Sequence, residues 1–162
     1  HGMIFTTGGI PLIYLGDELG CENDYSYRQD PDKARDSRWV HRPFASAEKT
    51  ARRCDAQTVE GRIFAGLQGL VALRKQTAAL AGQEFQLIDT GNSRVFGFLR
   101  THGVEHAIVL ANFSETPCAL PANLTRLYGL GYQIKDLLSG QPPVGGQIRL
   151  EAYQMVVLVD AK

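Results

Sequence analysis

The strongest constraint on the fold of this chain is a change of hydrophobic period at Gly82. Upstream of this glycine, apolar side chains recur at helical spacing. Downstream of it, short segments alternate apolar and polar residues with a period of two, and turn formers separate them, as in antiparallel sandwiches. The predicted strands are Glu84–Asp89, Arg94–Arg100, Glu105–Asn112, Tyr132–Leu137, Gln147–Leu150 and Tyr153–Val159. We therefore expect residues 82–162 to form an antiparallel β-sandwich.

The helix predicted before Gly82 has signals at both ends. Thr58 is of a type that caps helix N-termini, and Glu60 falls in the first turn, where a carboxylate is favourable. The apolar stripe that follows consists of Ile63, Phe64, Leu67, Leu70 and Val71. Arg74 and Lys75 lie near the C-terminal end, where cations are favourable, and Gly82 is a stop signal beyond them.

A continuous apolar run, Ile10–Leu15, lies between two glycines near the start of the chain. Such a run predicts a strand that is buried on both faces, as in a parallel sheet. Asp17 and Glu18 follow directly, at the end of the strand where barrels and open α/β sheets bind their ligands. Strand, connecting segment and helix together predict a βα unit.

The segment of residues 22–62 holds 17 of the 34 charged side chains of the chain. Structureless loops longer than about 12–15 residues are uncommon in compact domains and are usually functional or disordered. The aromatic residues Tyr25, Tyr27, Trp39 and Phe44 argue against disorder. The segment therefore predicts an ordered excursion that carries a site, with a solvated charged loop as the alternative.

The overall composition excludes several classes of partner. With 17 basic and 17 acidic residues the net charge is zero, so the chain has no electrostatic footprint for nucleic acid or an anionic membrane. No apolar run approaches the roughly 20 residues that span a bilayer. Cys21, Cys54 and Cys118 lie far apart, without the spacing of a zinc site, so we expect no metal and no cofactor. Three reduced thiols are expected, with one disulfide bridge between two of the cysteines as the alternative.

The segment Gly9–Glu18 resembles the eighth-strand signature of the α-amylase family of glycoside hydrolases. Members of that family follow this strand with a loop, the eighth helix and an antiparallel C-terminal sandwich, the order predicted here over all 162 residues. The resemblance implies an α/β plus all-β architecture. Residues 1–81 would be the last βα unit of a (β/α)8 barrel, and residues 82–162 the sandwich domain. The rest of the barrel is expected upstream of His1, as the partner of this unit.

A second motif, Asp36–Pro43, is similar to the segment after the eighth strand in amylosucrases and the closely related sucrose hydrolases. Asn112-Phe113-Ser114 also resembles a common strand end of the family. The resemblance implies a retaining enzyme that takes glucose from sucrose, releases fructose and extends an α-1,4-glucan. Such chemistry uses two carboxylates about 5–5.5 Å apart. No residue here matches the family motifs that carry them, so we expect them upstream of His1 and expect this chain alone to be inactive towards sucrose.

Arg38 is the one substrate-binding residue that the resemblance assigns. It matches the arginine that, in amylosucrases, pairs with an aspartate at the bottom of the glucose pocket. Its planar guanidinium would offer directed donors to a carboxylate and to sugar hydroxyls. By the same resemblance, Asp17 and Glu18 are expected to hold the loops rather than to catalyse. We expect His41 to orient the loop and Trp39 to anchor it.

Other functions stay open on the sequence alone. A sucrose hydrolase would share this architecture, with water in place of the glucan acceptor, and so would another α-amylase-family glycosidase. A non-enzymatic carbohydrate-binding sandwich is the third possibility. Against it, the tyrosines of the sandwich (Tyr128, Tyr132 and Tyr153) are scattered over different segments rather than placed in one row. The cellular compartment and the oligomeric state stay undecided.

Overall fold

The structure, a computed structural model, describes residues 1–43, 46–143 and 146–161. Phe44, one of the aromatic residues of the predicted ordered excursion, lies outside the described residues, as does Lys162 at the end of the predicted sandwich. The chain divides into two compact units, one of His1–Pro11 with Leu70–Lys162 and one of Leu12–Gly69. The predicted domain boundary between residues 81 and 82 stays a prediction.

Five α-helices and three short 3₁₀ helices lie in the described part of the chain. The α-helices are α1 Gly2–Thr6, α2 Ala47–Arg52, α3 Val59–Gln76, α4 Ala78–Ala81 and α5 Leu124–Leu127. The 3₁₀ helices are Asp17–Leu19, Tyr25–Gln29 and Ser37–His41. The predicted cap of α3 is confirmed, because the Thr58 hydroxyl accepts a hydrogen bond from the Gly61 amide at 3.0 Å.

The second half of the chain forms the predicted antiparallel sheets. The strands are β1 Glu84–Leu87, β2 Val95–His102, β3 Glu105–Asn112, β4 Cys118–Pro121, β5 Ile134–Asp136, β6 Gln147–Leu150 and β7 Met155–Asp160. A five-stranded sheet has the order β1-β2-β3-β7-β5, and β4 pairs with β6 in a separate two-stranded sheet. Every pair is antiparallel. The predicted sandwich is thereby confirmed, although the short strand β4 was not predicted.

The central strand β3 is buried on both faces of its sheet. Ile108 and Leu110 belong to the cluster that the two sheets share, together with Ile148 of β6. Ala107 and Val109 belong to a second buried cluster, to which α4 contributes Ala79 and Leu80. Phe98 of β2 and Val157 of β7 complete this cluster. This two-sided burial explains why residues 107–111 of β3 are all apolar instead of alternating with polar residues.

The prediction of a strand at Ile10–Leu15 is wrong for the structure of this chain. The segment has no strand, and Ile10, Leu12 and Leu15 are 98%, 74% and 75% exposed. A parallel strand that is buried on both faces obtains its hydrogen bonds and its packing from neighbouring strands. None of the strands in the described part of the chain pairs with this segment. The apolar run is therefore present without the sheet that its composition predicts.

The predicted absence of metal and membrane segments can be compared with the described residues. Within residues 1–43, 46–143 and 146–161, no group of three or more His, Cys, Asp or Glu side chains could hold a metal ion. In the same part of the chain no helix has the length and hydropathy that crossing a membrane requires. All three cysteines are free thiols, and Cys118 is buried in the sandwich.

Candidate functional site

Two 3₁₀ helices build the loop that carries the predicted site residue. Asp24 precedes the first, and its carboxylate accepts a hydrogen bond from the Ser26 amide at 2.8 Å. Asp36 precedes the second and accepts one from the Arg38 amide at 3.0 Å. Aspartate favours such positions because its short side chain reaches the backbone two residues on. The Asp24 amide also donates to the Val40 carbonyl at 2.9 Å, so the two helices are tied together.

Arg38 forms a side-on ion pair with Asp36 inside this loop. Its Nε lies 2.8 Å from Oδ1 and 3.1 Å from Oδ2, and its Nη2 lies 2.8 Å from Oδ2. The Arg38 side chain is nevertheless 73% exposed, against 32% for that of Asp36. A guanidinium has five N–H donors. Among the described residues no partner binds Nη1, so that edge of the guanidinium is available to another carboxylate or to a hydroxyl.

The charge state of this pair is fixed over the ordinary pH range. The hydrogen bonds from the Arg38 side chain, and then from its amide, lower the pKa of Asp36 from 3.8 to about 2. The same side-chain hydrogen bond raises the pKa of Arg38. Both groups are therefore charged near neutral pH, and the pair is a salt bridge rather than a neutral hydrogen bond.

Trp39 and His41 contribute contacts within the loop. Two cations lie over the half-buried Trp39 ring, with Lys33 Nζ 5.3 Å and the Arg42 guanidinium carbon 5.6 Å from its centroid. His41 Nδ1 lies 3.1 Å from the Asn23 side-chain oxygen, which links the second 3₁₀ helix to the start of the excursion. These contacts are those of loop-anchoring residues.

The carboxylates that follow the apolar run hold a turn. The Gly16 amide donates to Glu18 Oε2 at 2.8 Å, and the Tyr14 amide donates to Asp17 Oδ2 at 3.3 Å. Both acidic side chains thus accept hydrogen bonds from the backbone just before them. That Asp17 and Glu18 hold the loops rather than catalyse stays a prediction, and these contacts agree with it.

The role of Asp36 was not predicted from the sequence. The family resemblance gives Arg38 a carboxylate partner across a pocket, whereas the structure gives it one two residues earlier in its own loop. The spacing Asp-Ser-Arg contained the signal, because an aspartate before a short helix faces the second residue after it. A second carboxylate partner for Arg38 stays a prediction.

The sandwich is similar to a known accessory domain. Residues 85–157 match the family described as "Maltogenic Amylase, C-terminal domain". The solved structure of AmyP in complex with maltose covers 99% of this chain and superposes with a TM-score of 0.70 at 19% identity, while the chain covers 34% of AmyP. The structure of the trehalulose synthase MutB from Pseudomonas mesoacidophila MX-45 superposes on 98% of this chain with a TM-score of 0.64 at 18% identity. This chain covers 37% of MutB. These two likenesses establish the fold.

A curated relative extends the similarity to the sequence. Glucosylglycerate phosphorylase of Escherichia coli (strain K12) is 27% identical over 158 residues, which is 96% of this chain and 26% of that enzyme. The sandwich is therefore similar to the C-terminal domain that this family model describes, and its antiparallel sheets have the fold of the two solved structures. The chain spans about a quarter to a little over a third of the length of these relatives.

Proposed function

We propose that this chain is the C-terminal part of a retaining glucosyltransferase that cleaves sucrose and adds the glucose to an α-1,4-glucan, as amylosucrases do. The observation that carries the proposal is the loop Asp36–Pro43, which has the amylosucrase-like motif and holds a charged, exposed Arg38 whose Nη1 has no partner among the described residues. Two structural relatives support a carbohydrate substrate. AmyP was solved with maltose, and a MutB variant was solved with the substrate sucrose.

The role proposed for Arg38 is to bind the glucosyl unit at the floor of the pocket. Its Nη1 edge, to which no other described residue is hydrogen-bonded, has directed donors for sugar hydroxyls and for a carboxylate of the upstream part of the protein. The nucleophile and the acid/base catalyst of a retaining enzyme are two carboxylates about 5–5.5 Å apart. Asp17 and Glu18 are bound to backbone amides of their own turn, so we place both catalytic carboxylates upstream of His1.

The exposed segment Ile10–Leu15 fits this proposal. Its apolar side chains are exposed in this chain, and Ile10 is 98% exposed. We propose that the segment becomes the eighth barrel strand when upstream strands supply its neighbours. Burying such a run would also remove a surface that favours aggregation.

The products formed from sucrose test the proposed activity. The full-length protein that contains this chain is incubated with sucrose, with and without a short α-1,4-glucan, and fructose, glucose and glucan length are measured. A transferase releases more fructose than free glucose and lengthens the glucan. Equal amounts of fructose and glucose identify a sucrose hydrolase and contradict the transfer step. If no fructose is released, the proposed substrate is wrong.

A second candidate activity is glucosyl transfer to inorganic phosphate. The similarity to glucosylglycerate phosphorylase over 96% of the chain favours it. The same assay distinguishes the two when phosphate is added. With sucrose as the glucosyl donor, a phosphorylase forms one glucose 1-phosphate and releases one fructose for each phosphate consumed. The proposed transferase forms no glucose 1-phosphate, and it releases fructose and lengthens the glucan at a rate that phosphate does not change.

A further inference from the structure

The Asp36 carboxylate makes two kinds of contact at once. Oδ1 accepts the Arg38 amide at 3.0 Å, which starts the 3₁₀ helix Ser37–His41. Oδ1 and Oδ2 also accept Nε and Nη2 of the same residue at 2.8 Å each. The backbone and the guanidinium of Arg38 are therefore both held by one side chain.

We infer that Asp36 is the positioning residue for Arg38, fixing the guanidinium so that its Nη1 edge is presented to the glucosyl unit of the substrate. This inference rests on the proposed role of Arg38. An exposed arginine without a partner samples many rotamers. When such a side chain binds a ligand, it loses this conformational entropy, and the loss weakens binding. A side-on pair removes the freedom beforehand and leaves Nη1 unoccupied, which is the arrangement that preorganised binding needs.

The neighbouring helix supplies an internal comparison. Asp24 begins the helix Tyr25–Gln29 with nearly the same backbone conformation, φ −101° and ψ 107°, against −122° and 100° for Asp36. It makes the same kind of amide contact, with Ser26, but within the described part of the chain it forms no hydrogen bond with an arginine side chain. A substitution at Asp24 therefore measures the cost of a weakened cap alone, and one at Asp36 measures the same cost plus the loss of the guanidinium contact.

The test compares Asp36→Asn and Asp24→Asn in the full-length protein, with kcat and KM for sucrose measured separately. Asparagine still accepts a hydrogen bond from the amide at either position, but it has one acceptor oxygen and no charge for the guanidinium. We expect Asp36→Asn to lower kcat/KM by about 10- to 100-fold, since a catalytic contact misplaced by about 1 Å costs up to roughly 100-fold. Asp24→Asn is expected to stay within about twofold, as for surface changes. Asp36→Ser, which also caps helices but is too short to pair with the guanidinium, should behave like Asp36→Asn.

The double variant Asp36→Asn with Arg38→Ala separates positioning from a general structural effect. If Asp36 acts through Arg38, the double variant has the kcat/KM of Arg38→Ala alone, because nothing is left to position. A further loss in the double variant would overturn the inference, as would Asp36 variants that behave like Asp24→Asn while Arg38→Ala is impaired. In both cases the proposed function stands. Normal turnover by Arg38→Ala would instead remove the proposed role of Arg38 itself.

Discussion

Arg100 is a buried cation that fastens the N-terminal segment to the sandwich. It lies in β2 with its side chain only 1% exposed, and it donates hydrogen bonds to the Thr7 carbonyl at 3.1 Å and to the Gly82 carbonyl. Its guanidinium carbon lies 6.0 Å from the centroid of the Phe85 ring. Burial, and then the charge of Arg74, lower the pKa of Arg100. The two carbonyls are therefore the main stabilising partners of this charge.

Replacing Arg100 by methionine keeps an unbranched side chain over Phe85 and removes both hydrogen bonds. Hydrogen bonds from a charged donor contribute about 1.5–3 kcal/mol each, so the gross loss is roughly 3–6 kcal/mol. Arg100 Nε, however, is buried without a partner among the described residues, and its removal relieves a penalty of roughly 1–3 kcal/mol. The net loss lies between roughly 0 and 5 kcal/mol, and we expect Arg100→Met to destabilise the sandwich by about 2.5 kcal/mol, the middle of that range.

Hydrogen exchange of the buried amides of β3 measures this change in the full-length protein. The amides of Ile108 and Leu110 exchange only when the sandwich opens, so their rates report its free energy of unfolding. With about 1.36 kcal/mol for each factor of ten, the expected loss of about 2.5 kcal/mol makes their exchange about 70-fold faster.

Arg149→Met is the matched control for this experiment. Arg149 is an exposed arginine of β6 that pairs with Glu151, and exposed pairs contribute about 0–1 kcal/mol. Its exchange rates should stay within a few-fold of the wild type. If Arg100→Met gives rates as close to the wild type as the control does, the buried guanidinium does not stabilise the sandwich and the reasoning is refuted.

Two further predictions concern local packing and charge. Gly97→Ala should destabilise the sandwich by about 1–3 kcal/mol, because the new Cβ would lie 2.7 Å from Thr90 Cγ2 and 2.9 Å from Leu110 Cδ2. Thermal unfolding measures this loss. A second substitution, Thr90→Ser, removes Cγ2 and should restore part of the stability. Carbon-13 NMR of the Asp36 carboxyl should show a midpoint near the lowered pKa of about 2, returning towards 3.8 in Arg38→Ala. Since the pKa of Asp36 is lower in the folded protein than in the unfolded chain, the pair stabilises the loop fully above pH 3.8 and loses this effect as the pH falls through about 2. An unchanged midpoint in Arg38→Ala would show that the Arg38 side chain does not lower this pKa.

Local patterns predicted the sandwich well and the first part of the chain less well. The strands β3 and β6 have the predicted bounds, Glu105–Asn112 and Gln147–Leu150, because their patterns and turn residues are short-range signals. The strand β4 was not predicted, because its four residues, which end in Pro121, are too few to show an alternation of apolar and polar side chains. The strand at Ile10–Leu15 failed for the opposite reason: its pattern is clear, but a parallel strand depends on neighbours distant in sequence.

Side-chain partners were predictable only where they are local. The cap at Thr58 follows from spacing in the sequence, because Thr58 directly precedes the helix that it caps. The expectation that Asp17 and Glu18 hold the loops came from the family resemblance, and their turn contacts are also local. In the sequence, Arg100 is a charged residue in a largely apolar strand, and such a residue is expected to be exposed. It is buried because the fold brings the carbonyls of Thr7 and Gly82 to its guanidinium. The burial of such a charge depends on contacts across 93 residues, which no local pattern contains.

Turnover of sucrose by Arg38 variants tests the proposed function most directly. The kcat/KM for fructose release is measured for the full-length wild type, Arg38→Ala, Arg38→Lys and Arg35→Ala, with folding checked by thermal unfolding. If Arg38 binds the glucosyl unit, Arg38→Ala lowers kcat/KM by about 100-fold or more, and Arg38→Lys restores little because an ammonium lacks the planar fork. Arg35→Ala, an exposed arginine three residues earlier, should stay close to the wild type. A folded Arg38→Ala enzyme with near-normal turnover would contradict the proposed site.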